Sequence, residues 1–185
     1  MIDSTPLNKK QSTIRAQYLN AIAYNDFVVS SIIEQFSDDE AIIFYISDHG
    51  EEVYDTRDYA GHGDMMISKY NLEIPFMIYV SPKLAQKYPD LVDKIHKAQH
   101  LPFMSDDFIH AFLDLIGIQT KDFIPQRSLF NDIFNPNRVR IVGGTRDYDK
   151  ELRNSYPFET PDKIWLHRTD DIQKLVNELT ELKPD

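Results

Sequence analysis

The chain has 185 residues, of which 42% are hydrophobic and 27% are charged, and its formal net charge is -10. This composition fits one globular domain with a hydrophobic core and excludes a disordered chain. The absence of cysteine excludes disulfides and thiolate metal sites, and the lack of clustered Lys and Arg argues against a nucleic-acid partner.

The start of the chain is polar. The stretch "MIDSTPLNKKQSTIRAQ" contains no apolar segment of a signal peptide. No apolar run elsewhere approaches the roughly 20 residues that a membrane-spanning helix needs. We therefore expect the chain itself to be soluble, with residues 1–13 as a flexible polar segment.

Helical and strand patterns alternate along the rest of the chain. Apolar residues at helical spacing predict a long amphipathic helix over 14–36. Continuous apolar runs at 41–46 and 74–80 are typical of strands that are covered on both faces, as in a parallel sheet. Further patterns predict helices over 82–98, 105–117 and 170–182 and short strands near 138–145 and 163–168. The alternation indicates an α/β fold with a largely parallel sheet.

A group of metal-binding residue types follows the first apolar strand. Asp48 and His49 come directly after "IIFYIS", and His62 lies between two glycines 13 residues after His49. Ligands in α/β sheets collect at the carboxyl ends of strands, and a carboxylate with imidazole nitrogens suits Zn²⁺ or Mn²⁺ better than Ca²⁺. The alternative is structural: Asp48 caps the end of the strand, and His49 forms only local hydrogen bonds.

The wider stretch resembles a known family. The segments "YISDHGEE", "GH", "IPFMIYVSP" and "SDDFIHAFLDLIGI" occur in one order over residues 15–117. In this order they resemble the C-terminal half of the catalytic domain in the sulfatase-like branch of the alkaline phosphatase superfamily. Within that branch they look most like bacterial phosphoethanolamine transferases that modify lipopolysaccharide. The resemblance implies a three-layer α/β/α fold, and "KIWLHR" at 163–168 extends it weakly.

The resemblance also implies roles for the three residues. Asp48 and His49 match the family's Asp-His zinc ligands, and His62 matches a downstream histidine that approaches the substrate phosphate and can hold a second zinc. One or two Zn²⁺ ions are therefore expected, with Mn²⁺ as the alternative metal. In the preceding helix, "YLNAIAYNDFVV" resembles the recurring pattern "YDNAILYTDYVL", although Leu19 stands where that pattern has an acidic residue.

Two parts of the family's active site have no counterpart in this sequence. The family's nucleophilic threonine and a glutamate zinc ligand belong to a region well upstream of the Asp-His pair, and only 47 residues precede Asp48 here. We therefore expect the C-terminal fragment of a larger enzyme, inactive alone, whose parent is anchored in the bacterial inner membrane with a periplasmic catalytic domain. Residues 14–137 would be part of the catalytic domain, and 138–185 a C-terminal extension.

In the implied reaction, the parent's threonine attacks the phosphorus of phosphatidylethanolamine and releases diacylglycerol. A lipid A, core or glycan acceptor then takes the phosphoethanolamine from the threonine. The partners are therefore a phospholipid donor and a glycolipid acceptor. A sulfatase, phosphatase or phosphodiesterase of the same superfamily is one alternative, and a noncatalytic remnant or binding domain is another. Because a sheet without its upstream strands exposes an edge and apolar surface, the fragment is also expected to self-associate.

The remaining polar residues favour structural interpretations. His110 lies within an apolar helical pattern and is expected in the core, whereas His96 and His100 are expected in solvent. Glu51 and Glu52 follow the Asp-His pair closely. They have two equally weighted interpretations, namely support of a metal-bound imidazole by one of them or a solvated pair in the loop.

Overall fold

The computed structural model describes residues 6–63 and 67–153 of the chain. The helices in these ranges are Lys9–Glu34 (α1), Lys69–Leu72 (α2), Pro82–Lys87 (α3), Pro89–Ala98 (α4) and Phe108–Leu115 (α5). The strands are Ile42–Ile46 (β1), Glu52–Val53 (β2), Ala60–Gly61 (β3), Phe76–Val80 (β4), Ile141–Val142 (β5) and Arg146–Asp147 (β6). Short 3-10 turns precede α5 and cover Pro125–Arg127, and a π-helical segment covers Tyr148–Leu152.

Helix α1 begins five residues before the predicted start. Asn8 and Gln11 form a capping box, in which each side chain accepts a hydrogen bond from the backbone N–H of the other residue. This satisfies N–H groups that the first turn leaves without helical partners. The predicted long helix is confirmed, but no residue of α1 is buried within the described part of the chain.

Strands β1 and β4 form an antiparallel pair, with Ile42 opposite Val80 and Ile46 opposite Phe76. The two other strand pairings in the described residues, β2 with β3 and β5 with β6, are also antiparallel. Both main strands were predicted at the right place. The largely parallel arrangement expected for them is wrong within the described ranges, which do contain both helices and strands.

The connection between β1 and β4 explains this direction. A parallel pair needs a crossover that carries the chain back to the start of the first strand. Here the chain stays near the end of β1: Gly50 N donates to Asn71 O over 2.9 Å, and Ser47 N donates to Pro75 O over 3.4 Å. The residues between β1 and β4 therefore fold back at one end of the sheet, and β4 returns antiparallel to β1.

The core lies on one side of β4. Its buried residues come from α4, α5 and the segment after α5: Ala98, Ala111, Leu129 and Phe130. Phe76 and Ile78 of β4 pack against this cluster. All five residues of β1 are only half-buried, so β1 is not covered on both faces by the described residues.

The other predicted elements are mostly in place. The pattern over 82–98 forms two short helices, α3 and α4, and the pattern over 105–117 forms a 3-10 turn and α5. Gly117, the last residue of the helix predicted over 105–117, has a positive φ of 73°. Residues 163–168 and 170–182 lie outside the described residues. No described helix has both the length and the apolar character needed to cross a membrane.

Candidate metal centre

The loop after β1 turns sharply at Gly50. A Cβ atom at this position would lie 2.0 Å from the carbonyl oxygen of Tyr70, well inside any permitted contact. Only glycine therefore allows the loop to pass this close to the segment around α2. The turn places Asp48 and His49 on the open side of the loop, at the carboxyl end of β1.

The short β2–β3 hairpin brings the distal histidine back to this loop. Its register pairs Glu52 with Gly61 and Val53 with Ala60. Extending the register by one residue places Glu51 opposite His62, and Glu51 Oε2 lies 2.7 Å from His62 Nδ1. The hairpin, and not sequence proximity, therefore determines the position of His62.

Polar contacts hold the tip of the hairpin in place. The fully buried Glu52 carboxylate accepts hydrogen bonds from Thr56 and, over 2.7 Å, from Arg57. Asp55 accepts from Val53 N over 2.7 Å and pairs with Arg15 of α1 over 2.6 Å. The contacts of Glu52 stabilise the hairpin through residues of its own tip. The Asp55–Arg15 pair links the hairpin to α1.

The two histidine rings lie against each other. Their centroids are 3.8 Å apart with an angle of 34° between the planes. His49 Nδ1 lies 2.9 Å from the carbonyl oxygen of Gly50, and His62 Nδ1 contacts the Glu51 carboxylate. Because a carbonyl or carboxylate oxygen can only accept, Nδ1 is the protonated nitrogen of each neutral ring. Nε2 of both rings is thus left with a free lone pair, which is the form that binds metals.

His49, Glu51 and His62 form a group that could hold a metal ion, since one ligand atom from each lies within 4.8 Å of the other two. Two imidazole nitrogens and a carboxylate oxygen are a donor set that zinc uses. The side chains are 43%, 28% and 53% exposed, respectively, so the group opens to solvent. The residues present therefore fit a zinc ion with positions left for further ligands.

Asp48 lies beside this group. Its side chain is 88% exposed, and Oδ2 lies 3.8 Å from His49 Nε2. The backbone N–H of His49 donates to Asp48 Oδ1 over 3.0 Å, and this bond holds the pKa of the carboxyl below its usual value. Asp48 thus stays ionised next to the Nε2 lone pair of His49. The carboxylate in the closer three-residue group is that of Glu51 and not that of Asp48.

A cavity of about 810 Å³ is lined by Asp48 and His49 and also by apolar residues that include Phe76, Phe103 and Ile141. Of the metal group, His49 lines this cavity, whereas Glu51 and His62 do not.

The other histidines in the described residues lie away from this group. His110 is buried, as predicted, and its Nδ1 accepts a hydrogen bond from Ile124 N over 3.2 Å. His96 and His100 are exposed, also as predicted. Of the two interpretations given for Glu51, its contact with His62 favours support of an imidazole.

Comparison with known protein families gives a match over the part of the chain that contains the metal group. The family model for the sulfatases matches residues 3–118, which include α1, the metal group and α5. The chain belongs to the sulfatase family. The matched residues contain Asp48, His49 and His62, and the resemblance noted in the sequence is thereby confirmed at the level of the family.

Its curated relatives include phosphoethanolamine transferases. Phosphoethanolamine transferase EptC of Escherichia coli O18:K1:H7 (strain RS218 / NMEC) is 33% identical over 142 residues, which cover 74% of this chain and 24% of that protein. Kdo(2)-lipid A phosphoethanolamine 7''-transferase of Escherichia coli (strain K12) is 33% identical over 66 residues, which cover 36% of this chain and 12% of that protein. The chain thus spans about a quarter or less of the length of these relatives.

A solved structure supports the same kinship. The C-terminal periplasmic domain of EcEptC from Escherichia coli, in complex with Zn, superposes with a TM-score of 0.67 at 30% sequence identity. The superposition covers 82% of this chain and 44% of that domain. The fold of the chain is therefore sulfatase-like, and it corresponds to less than half of the solved domain.

Proposed function

We propose that this chain forms the metal-binding C-terminal part of the catalytic domain of a phosphoethanolamine transferase. The enzyme would move phosphoethanolamine from phosphatidylethanolamine to lipid A, the lipopolysaccharide core or another glycan. The observation that carries the proposal is the His49–Glu51–His62 group at the end of β1, in a sulfatase-family chain whose relatives carry this activity in their names.

Zinc is the metal proposed for the site. His49 and His62 would each present Nε2, and Asp48 would add its ionised carboxylate from the solvent side. Glu51 would hold the His62 ring through its 2.7 Å contact with Nδ1. When bound, zinc supplies a Lewis acid that neutralises charge on phosphoryl oxygens. The number of zinc ions, one or two, and the use of Mn²⁺ in their place belong to the same proposal.

His62 would act on the substrate phosphate. Its ring is more exposed than the Glu51 carboxylate that holds it, 53% against 28%. Since Nδ1 is fixed by Glu51, the free Nε2 side can face a phosphoryl oxygen or a second metal ion. In the alternative to zinc binding, Nε2 would carry a proton and donate a hydrogen bond to a phosphoryl oxygen as negative charge develops there. The same nitrogen cannot fill both roles at once.

The position of the enzyme in the cell follows from the same relatives. The solved neighbour is described as a C-terminal periplasmic domain, and we place the parent enzyme at the inner membrane with this chain on the periplasmic side. A phospholipid donor and a glycolipid acceptor meet at that surface. The nucleophile and the remaining metal ligands would come from the part of the catalytic domain that this chain does not match.

A chimera tests the activity. The segment of Escherichia coli EptC that matches this chain is replaced by the chain itself and expressed in a strain that lacks the native enzyme. Mass spectrometry of lipopolysaccharide should detect added phosphoethanolamine. The product should disappear with His49→Ala or His62→Ala and persist with the control His100→Ala, since His100 lies away from the metal group.

The alternatives appear as distinct outcomes of this experiment. A chimera that reaches the membrane and binds zinc but modifies no lipopolysaccharide would overturn the transferase proposal. Hydrolysis of p-nitrophenyl sulfate or bis-p-nitrophenyl phosphate by the same protein would then identify a sulfatase or phosphodiesterase. No turnover of any of these substrates would identify a noncatalytic domain.

A further inference from the structure

Asn71 lies between the two loops that carry the histidines of the metal group. It belongs to the short helix α2, and only 8% of it is exposed. Its backbone oxygen accepts a hydrogen bond from Gly50 N over 2.9 Å, and its side-chain nitrogen Nδ2 donates to Gly61 O over 3.1 Å. One buried residue thus binds the peptide that follows His49 and the peptide that precedes His62.

The orientation of the Asn71 amide is determined by its neighbours. Its oxygen Oδ1 accepts from the backbone N–H and from the hydroxyl of Ser68, each over 3.2 Å. A rotation of the amide by half a turn would place its NH2 group against the N–H of Ser68 and its oxygen against the carbonyl oxygen of Gly61. Because two donors or two acceptors do not bond to each other, Nδ2 is the atom that faces Gly61.

The hairpin that carries His62 is short, so contacts from outside it help to hold its end. Each strand of the β2–β3 hairpin has two residues, and the strand pairing ends with Glu52 opposite Gly61. A hairpin this short is marginally stable in water by itself. The bond from Asn71 to Gly61 O links the end of β3 to the segment that also binds the His49 loop.

The two contacts of Asn71 also limit the distance between the two histidines. The loops cannot move apart without breaking the bond to Gly50 N or the bond to Gly61 O, since one residue makes both. The imidazole rings lie with their centroids 3.8 Å apart. Zinc binds an imidazole nitrogen at about 2.0–2.1 Å, so a displacement of His62 by a few ångströms would take it out of reach of an ion bound to His49.

We propose that Asn71 is a positioning residue of the metal group, which holds His49 and His62 close enough for both to bind one metal ion. This inference rests on the zinc site of the proposed function. Asn71 acts through the backbone beside each histidine and does not bind the metal itself. Both contacts are made within this chain, so they do not depend on the part of the catalytic domain that the chain does not match.

A double-mutant cycle on zinc affinity tests whether Asn71 acts through His62. Isothermal titration of the full chain should show that Asn71→Ala weakens zinc binding roughly tenfold, as for residues that hold metal ligands. In the His62→Ala background the same substitution should have no further effect, because the ligand that it positions is gone. An equal loss in both backgrounds would overturn the proposal, since Asn71 would then act on the fold as a whole.

Asn131→Ala is the matched control for the loss of an asparagine amide. Asn131 also donates from Nδ2 over 3.1 Å, to Asp114, and its Oδ1 accepts from the backbone N–H of Ile133 over 3.3 Å. The substitution therefore removes the same two kinds of hydrogen bond from the segment after α5. Asn131→Ala should bind zinc like the wild type, and circular dichroism checks that both variants are folded. An equal loss of affinity in Asn71→Ala and Asn131→Ala, or a loss in neither, would contradict the positioning role.

A measurement on metal-free protein separates this inference from the zinc site itself. In EDTA, nuclear Overhauser contacts between the ring protons of His49 and His62 report the proximity of the two rings. These contacts should be present in the wild type and in Asn131→Ala and absent in Asn71→Ala. Their persistence in Asn71→Ala would overturn the proposal. If the wild type shows the contacts but binds no zinc, the zinc site fails, while their loss in Asn71→Ala still supports the positioning of the histidines by Asn71.

Discussion

Glu51 and His62 face each other across the end of the β2–β3 hairpin, with the carboxylate oxygen Oε2 2.7 Å from the ring nitrogen Nδ1. The hairpin register creates this pair, and the His62 ring is held against the ring of His49. A glutamate for which the sequence left two interpretations open thus determines which nitrogen of His62 is free.

The metal group should bind zinc in a way that depends on both histidines. Isothermal titration of the full chain should show that His49→Ala and His62→Ala each weaken zinc binding at least tenfold, because each removes one Nε2 donor. Asp48→Ala should weaken it as well, through loss of the adjacent carboxylate. The control His100→Ala should titrate like the wild type. Equal binding by wild type and His49→Ala would refute the proposed site.

Two substitutions of Glu51 separate an orienting role from direct ligation. Glutamine keeps an oxygen that accepts from His62 Nδ1, so Glu51→Gln should bind zinc almost as well as the wild type if Glu51 orients the ring. Glu51→Ala loses the contact and should cost roughly 10-fold to 100-fold in affinity. If Glu51→Gln is as weak as Glu51→Ala, the carboxylate itself binds the metal.

Sequence patterns predicted the positions of the strands around the site better than they predicted whether those strands run parallel or antiparallel. Apolar runs identify β1 and β4 because burial requires apolar residues, but the same runs fit parallel and antiparallel strands. The direction depends on hydrogen bonds such as Gly50 N to Asn71 O, which join positions 21 residues apart. These contacts leave no periodic signal in the sequence.

The site was predictable only in part for a similar reason. Histidines on glycine-flanked loops indicated that His49 and His62 belong to one neighbourhood, and the structure places them in contact. The role of Glu51 could not be decided, since the hairpin that aligns it has strands of only two residues, Glu52–Val53 and Ala60–Gly61. Strands this short carry no alternation that could be recognised.

Gly50 should be intolerant of any side chain. The Cβ of alanine would meet the Tyr70 carbonyl oxygen at 2.0 Å, and the backbone on both sides would have to move. We expect Gly50→Ala to lower the free energy of unfolding by on the order of 2 kcal/mol and to weaken zinc binding. In the control Gly63→Ala, the nearest atom is Tyr59 Oη at 4.0 Å. Urea denaturation should show little change for this control, and equal effects of the two substitutions would contradict the steric argument.

Asp107 should contribute more to stability than its neighbour Asp106. Its side chain is 4% exposed and accepts hydrogen bonds from Arg127 and, over 2.8 Å, from Arg138. Asp107→Asn leaves two partly buried guanidinium groups without their shared charge and should cost roughly 2–3 kcal/mol. Asp106, 49% exposed, binds the same two arginines, and Asp106→Asn should cost less than about 1 kcal/mol. If urea denaturation gave similar losses of unfolding free energy for Asp107→Asn and Asp106→Asn, the burial of Asp107 would not make it the more stabilising residue.

His110 should make the fold less stable in mild acid. Burial, followed by the nearby charge of Arg127, lowers the pKa of His110 from the usual 6.5, while Asp107 opposes the shift. A group whose pKa is lower in the folded state binds fewer protons there than in the unfolded chain. Its contribution is therefore complete above pH 6.5 and is lost as the pH falls through the folded pKa.

The substitution His110→Gln isolates this effect in metal-free protein. The glutamine side-chain oxygen can accept the hydrogen bond that Ile124 N donates to His110 Nδ1 in the wild type, but the side chain does not titrate. The midpoint of urea denaturation should fall between pH 7.5 and pH 5.5 by a smaller amount in His110→Gln than in the wild type. Because His49 and His62 are present in both proteins, their titration cancels in the comparison. An equal fall in the two proteins would mean that His110 does not couple protonation to folding.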